Sequence, residues 1–176
     1  MDRNKKALVA VASKHGSTYE IASAIAEELR KFAIEVDFAD LCKVDHIDNI
    51  RDYNAVILGS AIYAGRWMPE ARNFAEQYQP QLSMLPVWLF SSGPLGADDK
   101  QPPVDPAKIS TGLIRVEASD HKVFEGKLDP ADLGFGERLI LKVVKSPTGD
   151  FRDWEDVRAW ADEIAGALQA SLPAEI

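Results

Sequence analysis

The spacing of apolar and polar positions changes period several times along the chain. Residues 7–12, Ala-Leu-Val-Ala-Val-Ala, form an unbroken apolar run between polar flanks, the pattern of a strand buried on both faces, and the strand itself is expected over 6–12. From 19 to 32 the period lengthens. Ile21, Ala22, Ile25, Leu29 and Phe32 recur at helical spacing, and Arg30 and Lys31 sit in the last turn, where cations suit the helix dipole. Residues 34–38 alternate and predict a second strand near a sheet edge, while 41–49 read as a mixed connection with one helical turn. Residues 55–59 are apolar on both faces and predict a central third strand. Pro69 opens a helix at its favoured first position, with Ala71, Phe74, Ala75 and Tyr78 as the apolar stripe. Residues 86–90 and 121–128 predict a fourth and a fifth strand. The Asp- and Pro-rich residues 97–106 read as a loop, and 108–118 carry strand-like β-branched residues where the topology asks for a helix. Asp153 caps a last helix with Trp154, Val157, Trp160, Ala161, Ile164 and Leu168 on one face.

Strands alternating with helices imply an α/β chain, a parallel sheet covered on both faces and joined by right-handed crossovers. The 176 residues fit one domain, 1–176, with a core that needs no disulfide. Cys42 is the single cysteine, which excludes an intrachain disulfide and a cysteine-built zinc site. Its apolar neighbours predict a small buried residue. Residues 1–6 run directly into strand, and no apolar run reaches membrane-span length, so the expected location is cytoplasmic. A net charge of −8 argues against a nucleic-acid partner and permits docking to a basic protein.

The chemistry gathers at three turns. Ser13-Lys14-His15-Gly16-Ser17-Thr18 joins the first strand to the first helix. Such a turn aims backbone N–H groups and hydroxyls at one point, beside the positive end of a helix dipole, which makes an anion site and most simply a phosphate site. An ordinary N-cap would use the same residues. The turn lacks the Gly-Lys-Ser/Thr ending of a Walker loop and the three glycines of a dinucleotide fingerprint. A mononucleotide monoester suits it best. Residues 60–67 after the third strand and 91–96 after the fourth are rich in small side chains that let a planar ligand approach backbone. Tyr63 and Trp67 offer an aromatic face, or else pack between loop and helix. His15 can touch a phosphate; His46 and His121 receive no role. No Ser–His–Asp set or carboxylate pair follows from spacing, and no redox metal site is present, so redox chemistry needs an organic cofactor.

The first of these turns resembles the flavodoxin phosphate loop, Thr/Ser-x-Thr-Gly-x-Thr, matching it at Ser13, Gly16 and Thr18 and departing at His15, where a Thr is usual. Residues 59–65 resemble the first flavin loop of that family, and 91–96 occupy the second. Within the family, the segments 58–65, 121–129 and 150–154 are most similar to the menaquinone-dependent protoporphyrinogen oxidases, and the resemblance covers about residues 6–168. It implies a flavodoxin-like three-layer α/β sandwich, a five-stranded parallel sheet in order 2-1-3-4-5, an insertion over 129–150 before the last helix, and FMN. By the same resemblance Ser13, His15, Gly16, Ser17 and Thr18 hold the phosphate. Ser60, Ala61, Ile62, Tyr63, Ala64 and Gly65, with Ser91, Ser92, Gly93, Pro94 and Leu95, border the isoalloxazine. Pro94 and Leu95 stand where an electron carrier usually stacks an aromatic, which leaves one flavin face open or covered by aliphatic groups.

The implied function is an FMN-dependent oxidoreductase that passes electrons from a small planar aromatic substrate to a quinone. The alternatives are an electron carrier that docks to redox partner proteins and a flavin-free module. In the insertion, Leu133, Ile140, Val143 and Val144 fall near one helical face, and Arg138, Lys142 and Lys145 make the segment locally basic. It suits porphyrin carboxylates or peripheral contact with a quinone-bearing membrane, or serves as an amphipathic cover. Because it follows the fifth strand and the phosphate loop follows the first, it is expected on the far side of the site.

Overall fold

The computed structural model describes residues 5–63, 65–93, 116–144 and 148–171. Its middle layer is a parallel sheet of β1 (Lys6–Ala12), β2 (Glu35–Asp40), β3 (Ala55–Tyr63), β5 (Val87–Gly93) and β6 (Asp120–Glu125). Their spatial order is β2-β1-β3-β5-β6, and a two-residue strand, β4 (Arg66–Trp67), pairs antiparallel with the end of β3. With β4 set aside, this is the expected 2-1-3-4-5 order. The helices are α1 (Ser17–Lys31), α2 (Pro69–Gln77), the single turn α3 (Gln79–Leu82), α4 (Phe135–Val144) and α5 (Trp154–Ala170). A ribbon of β7 (Lys127–Leu128) and β8 (Gly149–Asp150) brackets α4.

The side-chain period of two along each strand divides the core between two layers. Leu8, Ala10 and Ala12 of β1 join Val56 and Leu58 of β3 under Ala71, Phe74 and Ala75 of α2. Ala7, Val9 and Val11 face the other way and meet Ile21, Ile25 and Leu29 of α1 and Val157, Trp160 and Ile164 of α5. Each large aliphatic buried this way contributes about 1.5–3 kcal/mol. Phe90, Phe124 and Trp160 interlock in this second layer, with ring centroids 5.6–6.2 Å apart. Gly59 makes room for them: a Cβ there would lie 2.0 Å from the Phe90 ring.

The chain departs from the sequence expectations in four places. β3 runs four residues past Gly59, and β5 runs three past Phe90, so the small polar residues there continue the sheet. The predicted fifth strand breaks at Gly126, where β7 leaves the sheet to pair with β8. The single helical turn expected within 41–49 is present, the Val44 N–H donating to the Asp40 carbonyl at 3.1 Å, and a separate 3-10 turn follows at Ile50–Asp52. Cys42 is exposed, not buried: Asp40 accepts its N–H at 3.0 Å, and this side-chain turn carries residue 42 outward. The readings of 97–106 and 108–115 fall outside the described residues.

Candidate functional site

Parallel register brings the predicted turns to one end of the sheet. Ala12 pairs with Ser60, and Ser60 pairs with Ser91, so the segments after β1, β3 and β5 lie side by side. At the first of them the backbone turns through Gly16 in a left-handed conformation, φ 86°. The Gly16 N–H donates to Ser13 Oγ at 3.1 Å. α1 then starts without a side-chain cap. Among the described residues no protein acceptor meets the N–H groups of Ser17, Thr18 and Tyr19. α5 is built differently, its first N–H groups being satisfied by the Asp153 carboxylate at 3.0 Å. His15 Nε2 is buried and makes no hydrogen bond. Thr18 is 2% exposed, and its hydroxyl finds no protein partner among the described residues. Unmet donors converging at the positive end of a 15-residue helix fit a bound anion.

The loop is braced from a direction the sequence order did not suggest. The Lys127 N–H of β7 donates to Ser17 Oγ at 3.1 Å, which leaves the Ser17 proton free to donate. Arg152, its side chain 5% exposed, reaches the Ser17 carbonyl and the Glu20 carboxylate with one nitrogen. Its other terminal nitrogen meets Asp150 at 2.6 Å, and its plane covers the Trp154 ring at 4.6 Å. Glu137 of α4 accepts from Lys14. The 129–150 segment is therefore not on the far side of the site. α1 crosses the sheet and touches β1, β2, β3 and β5, so its first turn lies within reach of the chain leaving β6. The contacts of Glu137 and Arg152 with this turn carry no local sequence signal, since the turn lies more than a hundred positions away. Arg138, expected as part of a locally basic segment, donates to the carbonyls of Leu133 and Ala131. Lys142 and Lys145 fall outside the side chains described.

The two other segments spend most of their side chains on the protein itself. Ser60 Oγ donates to the Ala61 carbonyl at 2.8 Å and accepts the Met68 N–H at 2.9 Å, fixing the chain into α2. Ala61 and Ile62 are buried, and the hairpin turns at Gly65, φ 72°. Trp67 is core, not a ligand face: it is 2% exposed, and its indole donates to Ser91 Oγ at 2.7 Å. Ser91 Oγ also lies 2.8 Å from His121 Nε2 and is hydrogen-bonded to it, the histidine tautomer deciding which group donates. Burial lowers the His121 pKa, which favours the neutral ring. Ser92 is buried, and Gly93 lies against Ile62, where a Cβ would come within 2.7 Å. His46 is tied to Tyr78 and Asp48.

Tyr63 is the aromatic that does face outward, 42% exposed at the end of β3. Its ring stands edge-on to His15 at 6.3 Å, with Lys14 Nζ 5.9 Å from its centroid. Burial of its hydroxyl and then the Glu137 charge push its pKa up to about 12. Cys42 Sγ lies 3.6 Å from the Ser13 carbonyl, and although the residue is exposed, partial desolvation of its sulfur raises its pKa. Ala64, Pro94 and Leu95 lie outside the described residues. Among the described residues no group of three His, Cys, Asp or Glu side chains could hold a metal, and no helix is long and apolar enough to cross a membrane.

Known proteins are similar to this chain in sequence and in fold. A flavodoxin-domain family model matches residues 8–155. Protoporphyrinogen IX dehydrogenase [quinone] of Escherichia coli strain K12 is 23% identical over 172 residues, which span 91% of this chain and 94% of that protein. Among solved structures, the rubredoxin oxygen:oxidoreductase of Desulfovibrio gigas superposes with a TM-score of 0.62 at 22% identity. The match takes in 98% of this chain and 38% of that one. A short-chain flavodoxin associated with a non-canonical PDU bacterial microcompartment also gives 0.62 at 14% identity, covering 93% of this chain and 99% of that one.

Proposed function

The chain belongs to the flavodoxin family, and on that premise we propose that it is an FMN-dependent oxidoreductase of the protoporphyrinogen IX dehydrogenase kind. Its electrons come from a reduced planar aromatic substrate and leave to a quinone. A flavodoxin domain implies a flavin, FMN being typical, and the first turn fits the phosphate of that cofactor. The observation that carries the reading is the group of unmet N–H donors at Ser17, Thr18 and Tyr19 behind the left-handed Gly16. Ser13, His15, Gly16, Ser17 and Thr18 would hold the phosphate, Ser13 Oγ accepting the Gly16 N–H while its proton stays free to donate. The segments 60–65 and 91–95 would border the ring through backbone, since Ser60 and Ser91 point their hydroxyls inward. Bound there, the flavin supplies the hydride and electron chemistry, and the protein supplies binding, orientation and ring environment.

An oxidoreductase is favoured over a plain electron carrier by the full-length relation to the quinone-dependent enzyme and by α4. Phe135, 87% exposed, and Leu139, 57% exposed, stand one helical turn apart on the segment that touches the phosphate loop. Such a face suits a large apolar ring system or a quinone. The test loads the purified protein with FMN and mixes it anaerobically with protoporphyrinogen IX and a soluble quinone. Porphyrin formation that requires both FMN and quinone is the expected result. Loaded protein that forms no porphyrin but still relays electrons between a reductase and a haem protein would be a carrier.

A further inference from the structure

The insertion returns to the phosphate loop through one side chain. Glu137 Oε2 accepts the Gly134 N–H at 3.0 Å, the backward half of a capping box at the start of α4. Its other oxygen serves a different element: Oε1 accepts from Lys14 Nζ and lies 3.4 Å from His15 Nε2. Lys14 and His15 are the two side chains that bring basic nitrogens into the loop, and both meet the same carboxylate oxygen. His15 Nε2 makes no proper hydrogen bond in this state, so its present partner does not satisfy it. The carboxylate, by contrast, is well served. Its pKa is held at about 2, by Lys14 first and the Gly134 N–H second.

We propose that Glu137 is an internal counter-ion of the phosphate loop, which a phosphate monoester displaces from Lys14 and His15 on binding. The inference rests on the reading that this loop receives the flavin phosphate. A monoester carries between one and two negative charges near neutral pH. Seated on the N–H groups of Ser17, Thr18 and Tyr19, it shares the loop with a carboxylate of the same sign. The two anions compete for Lys14 and His15, and the phosphate has the additional backbone donors. Displacement turns Lys14 to the ligand and leaves α4 tied through Glu137 to Gly134 alone. Occupancy of the loop is thereby signalled to the helix that carries Phe135 and Leu139. The Lys14 and Glu137 side chains are 54% and 33% exposed, so solvent screens the competition and its size is modest.

The experiment titrates apoprotein with FMN and with riboflavin, which lacks the phosphate, and follows flavin fluorescence. Glu137→Gln keeps a side chain able to complete the capping box, so α4 retains its start. It should tighten FMN about three- to tenfold, leave riboflavin within about twofold, and lose the gain near 1 M salt. Lys14→Met should weaken FMN, and in the double variant the gain from Glu137→Gln should shrink. Should wild type prefer FMN over riboflavin while Glu137→Gln binds FMN no tighter, the counter-ion role is overturned and the phosphate loop stands. Should wild type bind riboflavin as tightly as FMN, the phosphate reading fails and the counter-ion role falls with it.

Discussion

Gly16 shows how much one residue can reveal when its constraint is local. Its φ of 86° is conformational space that a β-branched side chain resists, yet a Cβ there would meet nothing within 4 Å. Gly16→Val should therefore leave the fold largely intact and spoil the aim of the N–H groups that follow. Loss of one charge-assisted hydrogen bond costs about 1.5–3 kcal/mol, so FMN affinity should fall by roughly one to two decades. Equilibrium titration beside a melting curve checks both halves, and a variant with wild-type affinity would put the phosphate elsewhere. Glu137 and Arg152 could not be read the same way, because nothing in the residues around them names a partner 123 or 135 positions distant. Glu137 also carries a pH dependence. Its folded pKa, about 2, lies below the ordinary 4.5, so its hold on the loop is complete above pH 4.5 and is lost as pH falls toward 2. Asp37 and Asp150 are lowered too, by the Tyr53 hydroxyl and by Arg152, and titrate in the same acid range. Glu137→Gln retains both and so isolates the latch. Pepsin should cut beside Phe135 and Leu139 faster in wild type as pH falls below 4.5, while the variant should already be open there. Equal cleavage of the two proteins at pH 5 would mean that Glu137 does not restrain α4.

Elements were legible where burial alone decides them, and misjudged where hydroxyls find their partners inside the protein. The apolar runs of β1, β3 and β5 and the stripes of α1, α2 and α5 followed from period. Ser60, Ser91 and Ser92 looked like the start of loops because a sequence does not show that Met68 N–H and the Trp67 indole serve two of them. Trp67 stayed open between a ligand face and packing for the same reason, its polar edge being spent in the core. Gly59, by contrast, is small because β3 and α5 close around Phe90. Gly59→Ala places a carbon 2.0 Å from that ring, against the Phe124 and Trp160 rings behind it. Overpacking of this kind costs about 1–3 kcal/mol. Urea denaturation should show a lower midpoint with an unchanged slope. A variant as stable as wild type would mean that the aromatic cluster yields without strain.

For the whole molecule, the order β2-β1-β3-β5-β6 decides where any ligand can bind. It sets the carboxyl ends of β1, β3 and β5 together, where, on the proposed reading, the turn after β1 would grip the phosphate and the other two segments would flank it. That arrangement distinguishes flavins by where their phosphate ends. FMN carries a terminal phosphate that can enter the first turn of α1, whereas the phosphates of FAD are bridged to an adenosine. Among the described residues, the α1 turn has one glycine, Gly16, and lacks the glycines of an adenine-dinucleotide fingerprint. FMN should therefore bind and FAD should bind far more weakly. Ligand that binds only the folded chain raises its stability by RT ln(1 + [L]/Kd), about 2.7 kcal/mol at a hundredfold excess over Kd. At equal concentrations FMN should raise the melting temperature well above the shift given by FAD, with riboflavin also below FMN. Equal shifts for FMN and FAD would remove the terminal phosphate from the recognition and with it the assignment of this loop.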